Sequence, residues 1–154
     1  MKPEAELSNH IIAAEIMEVQ HIELLLSDGS VILAEMCIWE ADPDNPHQVK
    51  LSLRFSGNEI TKRDENFFFA MRSIRLELER EGMLLRCYGA SRNVYPSAMS
   101  LDMGAGWKAY KLKLGQYGKL KDLVSIFDTG SDVEPVTVAE QENFYRQWCE
   151  FRGG

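Results

Sequence analysis

Val19 to Leu26 and Val31 to Trp39 are two apolar, β-branched runs separated by Ser27-Asp28-Gly29-Ser30. An Asp-Gly pair between such runs predicts a β-hairpin, because glycine accepts the positive φ that a tight turn demands. The second run is apolar at both parities (Val31, Leu33, Cys37 and Trp39; Ile32, Met36 and Ile38), as in a strand covered on both faces. Asp42-Pro43-Asp44-Asn45-Pro46 reads as a turn. Beyond it Val49, Leu51, Leu53 and Phe55 alternate with Lys50, Ser52 and Arg54, a half-buried strand. Phe67, Met71, Ile74 and Leu78 then follow helical spacing and predict a helix over 64–81, stopped by Gly82.

Further on the pattern is sparser. Met83 to Tyr88 reads as a strand, and Lys108 to Leu114 as another, with Tyr110, Leu112 and Leu114 inward and Lys111 and Lys113 outward. Leu123 to Phe127 is a short buried run, strand or loop. Thr137-Val138-Ala139-Glu140 has the form of a capping box and opens a helix over 137–152, with Phe144, Tyr145, Trp148, Cys149 and Phe151 on its core side. Residues 4–16 fit a helix through Ile12 and Ile16, or a strand through Ile11-Ile12. The sum is an α+β fold: a single domain over 1–154, with an antiparallel sheet packed against two main helices.

Composition narrows the class. The 154 residues are 45% hydrophobic and 27% charged, an ordinary globular mix. No apolar run approaches a membrane span of about 18 residues, and the N-terminus lacks the order of a secretory signal. Cys37, Cys87 and Cys149 are odd in number and widely spaced, which fits free thiols in a reducing cytosol. Charge is segregated: residues 1–45 carry net −9, residues 46–125 net +6 and residues 126–154 net −4. A segment at −9 attracts cationic partners and repels phosphate backbones, so direct nucleic-acid binding through it is disfavoured.

Catalytic chemistry is sparse in the pattern. His10, His21 and His47 have no metal-ligand spacing and no cysteine near them, and no GxSxG, Walker A or GxGxxG motif occurs. Neither a metal nor a cofactor is expected. Cys37 and Cys149 fall on expected core faces, whereas Cys87, between Arg86 and Arg92, is the best candidate for a reactive thiol. Lys50, Arg54, Lys111 and Lys113 could form a basic stripe, more in keeping with a solvated face than an RNA platform. Residues 88–110 gather glycines, hydroxyls and aromatics. Arg92, Asn93, Tyr95, Gly104 and Gly106 could form a small anionic-ligand pocket there. The alternative is a long connection pinned to the core by Tyr95, Met99, Met103 and Trp107.

The run Leu84-Leu85-Arg86-Cys87-Tyr88-Gly89-Ala90-Ser91-Arg92-Asn93-Val94-Tyr95-Pro96-Ser97-Ala98-Met99, with Asp102 to Gly106 and Asp122 to Asp128, resembles small bacterial immunity proteins of contact-dependent growth inhibition and related polymorphic toxin systems. The resemblance spans residues 80–150 and implies a cytosolic, non-enzymatic inhibitor, a monomer or weak homodimer. Its partner would be the C-terminal domain of one cognate toxin, often a nuclease. It assigns no catalytic residues. Because nuclease clefts are positive, acids in or near the hairpin and the Pro-rich turn are the expected contacts: Glu15, Glu18, Glu23, Asp42 and Asp44. Two other readings stand beside it: a small-ligand binder or enzyme built on 88–110, and an adaptor that completes its sheet or buries its aromatic helix in another chain.

Overall fold

The computed structural model describes residues 18–151; the segment 4–16 lies outside them. Strands β1 (Glu18–Leu25) and β2 (Val31–Trp39) form the expected hairpin, in register from Glu18↔Ile38 to Leu25↔Val31. Its turn closes with the Gly29 amide donating to Leu26 O at 3.0 Å, Gly29 standing at φ 86°. β3 (Val49–Phe55) pairs with β2, and β4 (Asn58–Asp64) with β3. Ser56 and Gly57, at φ 46° and 77°, make the two-residue connection between β3 and β4. β5 (Leu84–Arg86) adds to β1, so the antiparallel order is β4-β3-β2-β1-β5 with β2 at the centre.

Helix α1 (Phe67–Arg80) crosses one face of this sheet and buries the expected stripe of Phe67, Met71, Ile74 and Leu78. It starts later than the spacing predicts because Asp64 belongs to β4 and Asn66 is the cap, its side chain accepting from the Phe69 amide at 2.9 Å. It stops with Gly82 at φ 72° and the Met83 amide donating to Leu78 O at 3.0 Å. A second sheet of short strands, in the order β6-β7-β8, comprises β6 (Val94–Tyr95), β7 (Lys108–Lys111) and β8 (Leu123–Ser125). Helices α2 (Ala98–Gly104) and α3 (Val138–Phe151) complete an α+β fold with three helices rather than two among the described residues. One apolar cluster runs from Leu24, Ile38 and Leu53 through α1 to Val94, Ala109, Ile126 and Phe127.

Several inward-facing expectations change. On β7 the fully buried residue is Ala109, and Leu114 is exposed because the strand ends at Lys111. On α3 the buried residues are Val138, Gln141 and Trp148; Phe144 and Tyr145 are half-buried, and Cys149 and Phe151 are exposed. The capping box forms as expected, with the Glu140 amide donating to Thr137 Oγ1 at 3.2 Å and the Thr137 amide to Glu140 Oε1 at 3.1 Å. Those bonds, with Arg92 beyond them, hold the Glu140 carboxyl below its ordinary pKa.

Trp107 stands edge-on to Phe67 (5.1 Å between ring centroids) and to Phe127 (4.8 Å), joining α1 to the second sheet. It is itself half-buried and packs against the core cluster. Trp107→Ala is expected to cost about 3 kcal/mol, the low end of the range for a large aromatic. Urea unfolding followed by far-UV circular dichroism checks this, and a loss below about 1 kcal/mol would contradict the packing role.

Candidate partner-binding surfaces

The hairpin brings some of the expected acids to the surface and retires others. Glu18 is exposed and accepts from the Gln20 side chain. It opposes Ile38, two residues before the exposed Glu40, and the turn after β2 carries the exposed Asp44. Glu18, Glu40 and Asp44 therefore gather at the open end of the hairpin. Among the described residues the only cation within 4 Å of these three is Arg63, whose Nη2 lies 3.7 Å from Asp44. Glu23 is half-buried on β1 and faces Arg86 on the neighbouring strand at 3.4 Å. Glu15 lies outside the described residues.

Asp42 corrects the expectation of a surface position. It is 1% exposed, takes Arg63 Nε at 2.6 Å and accepts the Asp44 amide at 3.1 Å. Arg63 stands on β4, and its guanidinium closes over the turn, so Asp42 ties the turn to the sheet instead of facing a partner. Its charge-assisted bond is a structural one.

The 88–110 stretch forms no anion cradle. Arg92 donates from Nε to Glu134 at 2.7 Å and from Nη2 to Glu140 at 3.4 Å, so two carboxylates already occupy it. Asn93 donates to Leu112 O at 3.2 Å, and the Tyr95 hydroxyl to Glu142 Oε1 at 3.0 Å. The Gly106 amide is used by Ser100 O at 2.9 Å, and Gly104 ends α2 at the surface. The connection is pinned by Tyr95 and Trp107, which pack on the core, but not by Met99 and Met103, which are 70% and 83% exposed.

Cys87 is fully buried against Met71, and burial pushes its thiol up to about 11, the opposite of activation. Burial likewise raises the Cys37 thiol, leaving Cys149 as the one exposed cysteine. The basic stripe does not assemble: Lys50 and Arg54 stand on the five-stranded sheet, Lys111 on the other. Lys50 lies 4.5 Å above the Trp39 ring, Arg54 pairs with Glu59 and Lys111 with Asp132. Among the described residues no three His, Cys, Asp or Glu side chains are grouped as metal ligands, and no helix is long and apolar enough to cross a membrane.

Two features escape the sequence pattern. The first is a buried polar knot. Arg75, 2% exposed on α1, donates to Gln141 Oε1 at 2.5 Å, Gly89 O at 3.3 Å and Val136 O at 3.0 Å. Gln141 in turn donates to Gly89 O, Ser91 O and Val94 O at 2.9–3.0 Å. Burial pulls the Arg75 pKa down, yet a guanidinium stays charged at neutral pH. The knot fixes the distinctive 84–99 run between α1 and α3, so that run is scaffold.

The second feature is a pair of adjoining grooves on the β6-β7-β8 side, sharing Ser97 and Tyr110. One, of about 500 Å³, is walled by Tyr95, Tyr110, Tyr117, Tyr145 and Trp148; Tyr95 and Tyr145 stack at 3.7 Å. The other, of about 470 Å³, is walled by Met99, Met103, Trp107, Leu120 and Leu123. Exposed methionines read as core in any pattern of hydrophobic residues, which is why the sequence hides this surface.

In comparison with known proteins, no protein-family model matches the chain, and no curated protein matches it significantly.

Proposed function

We propose that this chain is a non-enzymatic immunity protein that binds and neutralises the C-terminal domain of one bacterial toxin, a nuclease, in the cytosol. The observation that carries the reading is the set of exposed carboxylates at the open end of the hairpin: Glu18, Glu40 and Asp44. Held on a paired strand and a turn braced by Asp42–Arg63, they present negative charge in a fixed arrangement. Such a surface competes for a positive cleft in the way a phosphate backbone does, and it steers the encounter. The motif behind the resemblance supports the same reading from the other side. Its residues are spent on the scaffold, through Arg75, Gln141 and the Tyr88 hydroxyl bonded to Asp132, which leaves recognition to the rest of the surface.

The test is neutralisation of the toxin domain encoded beside this chain's gene, in cells expressing both. The unmodified chain is expected to restore growth. The triple reversal Glu18→Lys, Glu40→Lys and Asp44→Lys is expected to weaken binding at least about tenfold, roughly 1.4 kcal/mol. Its melting temperature should match that of the unmodified chain, since these side chains are exposed. Binding within about twofold of the unmodified chain would contradict the reading.

A further inference from the structure

We propose that the paired grooves around α2 and residues 112–122 form a second docking surface, one that takes an acidic protein segment carrying apolar anchors. This goes beyond the hairpin site and does not depend on it. α2 buries none of its seven residues, and Met99 and Met103, one turn apart, are 70% and 83% exposed. Across from them Tyr117 and Leu120 are 67% and 79% exposed. Large apolar side chains gathered on one surface mark an interaction site, and flexible thioethers suit a partner segment whose anchors vary in shape.

Charge decides the occupant. Lys108 lines one groove, and Lys113, Lys119 and Lys121 are sequence neighbours of the lining residues Leu112, Gly118 and Leu120; all four are exposed, and none has an ion pair among the described residues. Against them stand only Asp102 and Asp122 in that stretch, so residues 97–124 carry net +3 within a chain of net −7. Elsewhere Arg54, Lys62, Arg63, Arg72, Arg86 and Arg92 each face a carboxylate, while Lys50, Arg80 and Arg146 stand apart from one another and from this stretch in the sequence, without an ion pair among the described residues. Four unmatched lysines around an apolar surface complement carboxylates flanking apolar anchors. A single-stranded nucleic acid would need aromatic faces to stack on. Of the rings that wall the grooves, Tyr95, Trp107, Tyr110 and Tyr145 are half-buried and Trp148 is buried, so among the described residues Tyr117 alone presents an exposed face, and methionine and leucine do not stack with bases. A protein segment fits better.

The experiment titrates the full chain, with its methionine ε-methyl groups labelled for NMR, with a short synthetic peptide alternating glutamate and leucine. The expected result is a saturable shift at the Met99 and Met103 methyls, with little change at the buried Met36 and Met71 and a Kd below about 1 mM. The double variant Lys119→Glu and Lys121→Glu is expected to weaken this at least about tenfold while leaving the unliganded spectrum of the core methyls in place. The proposal is overturned by the absence of a saturable shift, or by equal binding of a lysine–leucine peptide. Tighter binding of oligouridylate would overturn it in favour of nucleic acid. Equal shifts at Met99 and Met103 on raising the protein concentration alone would overturn it in favour of a second copy of the chain.

Discussion

Arg75→Ala is expected to lower stability by about 3–5 kcal/mol, the loss typical of removing one partner from a buried charged network. The reason lies less in the cation than in what it leaves behind. Val136 O and Gln141 Oε1 would keep no described donor, and a buried acceptor without a partner costs about 1–3 kcal/mol. The stem of Arg75 also fills space beside Met71 and Leu78 on the core face of α1. Arg75→Met separates these contributions. It retains most of the volume and removes the cost of burying a charge, so its loss should be about half that of Arg75→Ala. Urea midpoints at pH 7 measure both. If Arg75→Ala came within about 1 kcal/mol of the unmodified chain, the knot would not be holding α1 to α3.

Gly89→Ala should cost about 3 kcal/mol, at the upper end for a single added methyl group. A Cβ there would meet Met71 Sδ at 2.5 Å, Ile126 Cβ at 2.9 Å and Ile126 O at 3.1 Å. The thioether can swing away, but the other two atoms belong to a β-branched residue and its backbone. Relief therefore requires the Gly89 segment to move. That movement would strain the Gly89 amide bond to Ile126 O (2.9 Å) and the carbonyl that Arg75 and Gln141 share. Adding Met71→Ala should recover only part of the loss, because the clash with Ile126 persists. Full recovery in the double variant would place the entire strain on Met71 and contradict this account.

Much of this scaffold is legible in the sequence, for reasons that can be named. The hairpin from β1 to β2, the alternation of β3, the stripe of α1 and the capping box of α3 are local patterns, and each sets its own geometry. β4 is invisible because Ile60 is its sole apolar residue; as an edge strand it needs no alternation, and its position comes from the Ser56-Gly57 turn and from pairing with β3. Asp42 reads as a surface turn residue until Arg63, twenty-one residues later, closes over it. Arg75 falls beside Ile74, just off the apolar stripe, where spacing alone assigns solvent. Its burial depends on α3 arriving overhead with Gln141. The candidate surfaces divide in the same way. Local chemistry exposes Glu18 and Asp44, whereas the unmatched lysines around the Met–Tyr grooves emerge only once the second sheet assembles.

The most direct measurement for the central claim is the association rate of this chain with its cognate toxin domain at about 50 and 500 mM salt, conditions whose Debye lengths are about 14 and 4 Å. If exposed carboxylates of the hairpin steer the encounter, the on-rate falls at least about tenfold across that range while the off-rate changes little. An on-rate that stays level would contradict the claim.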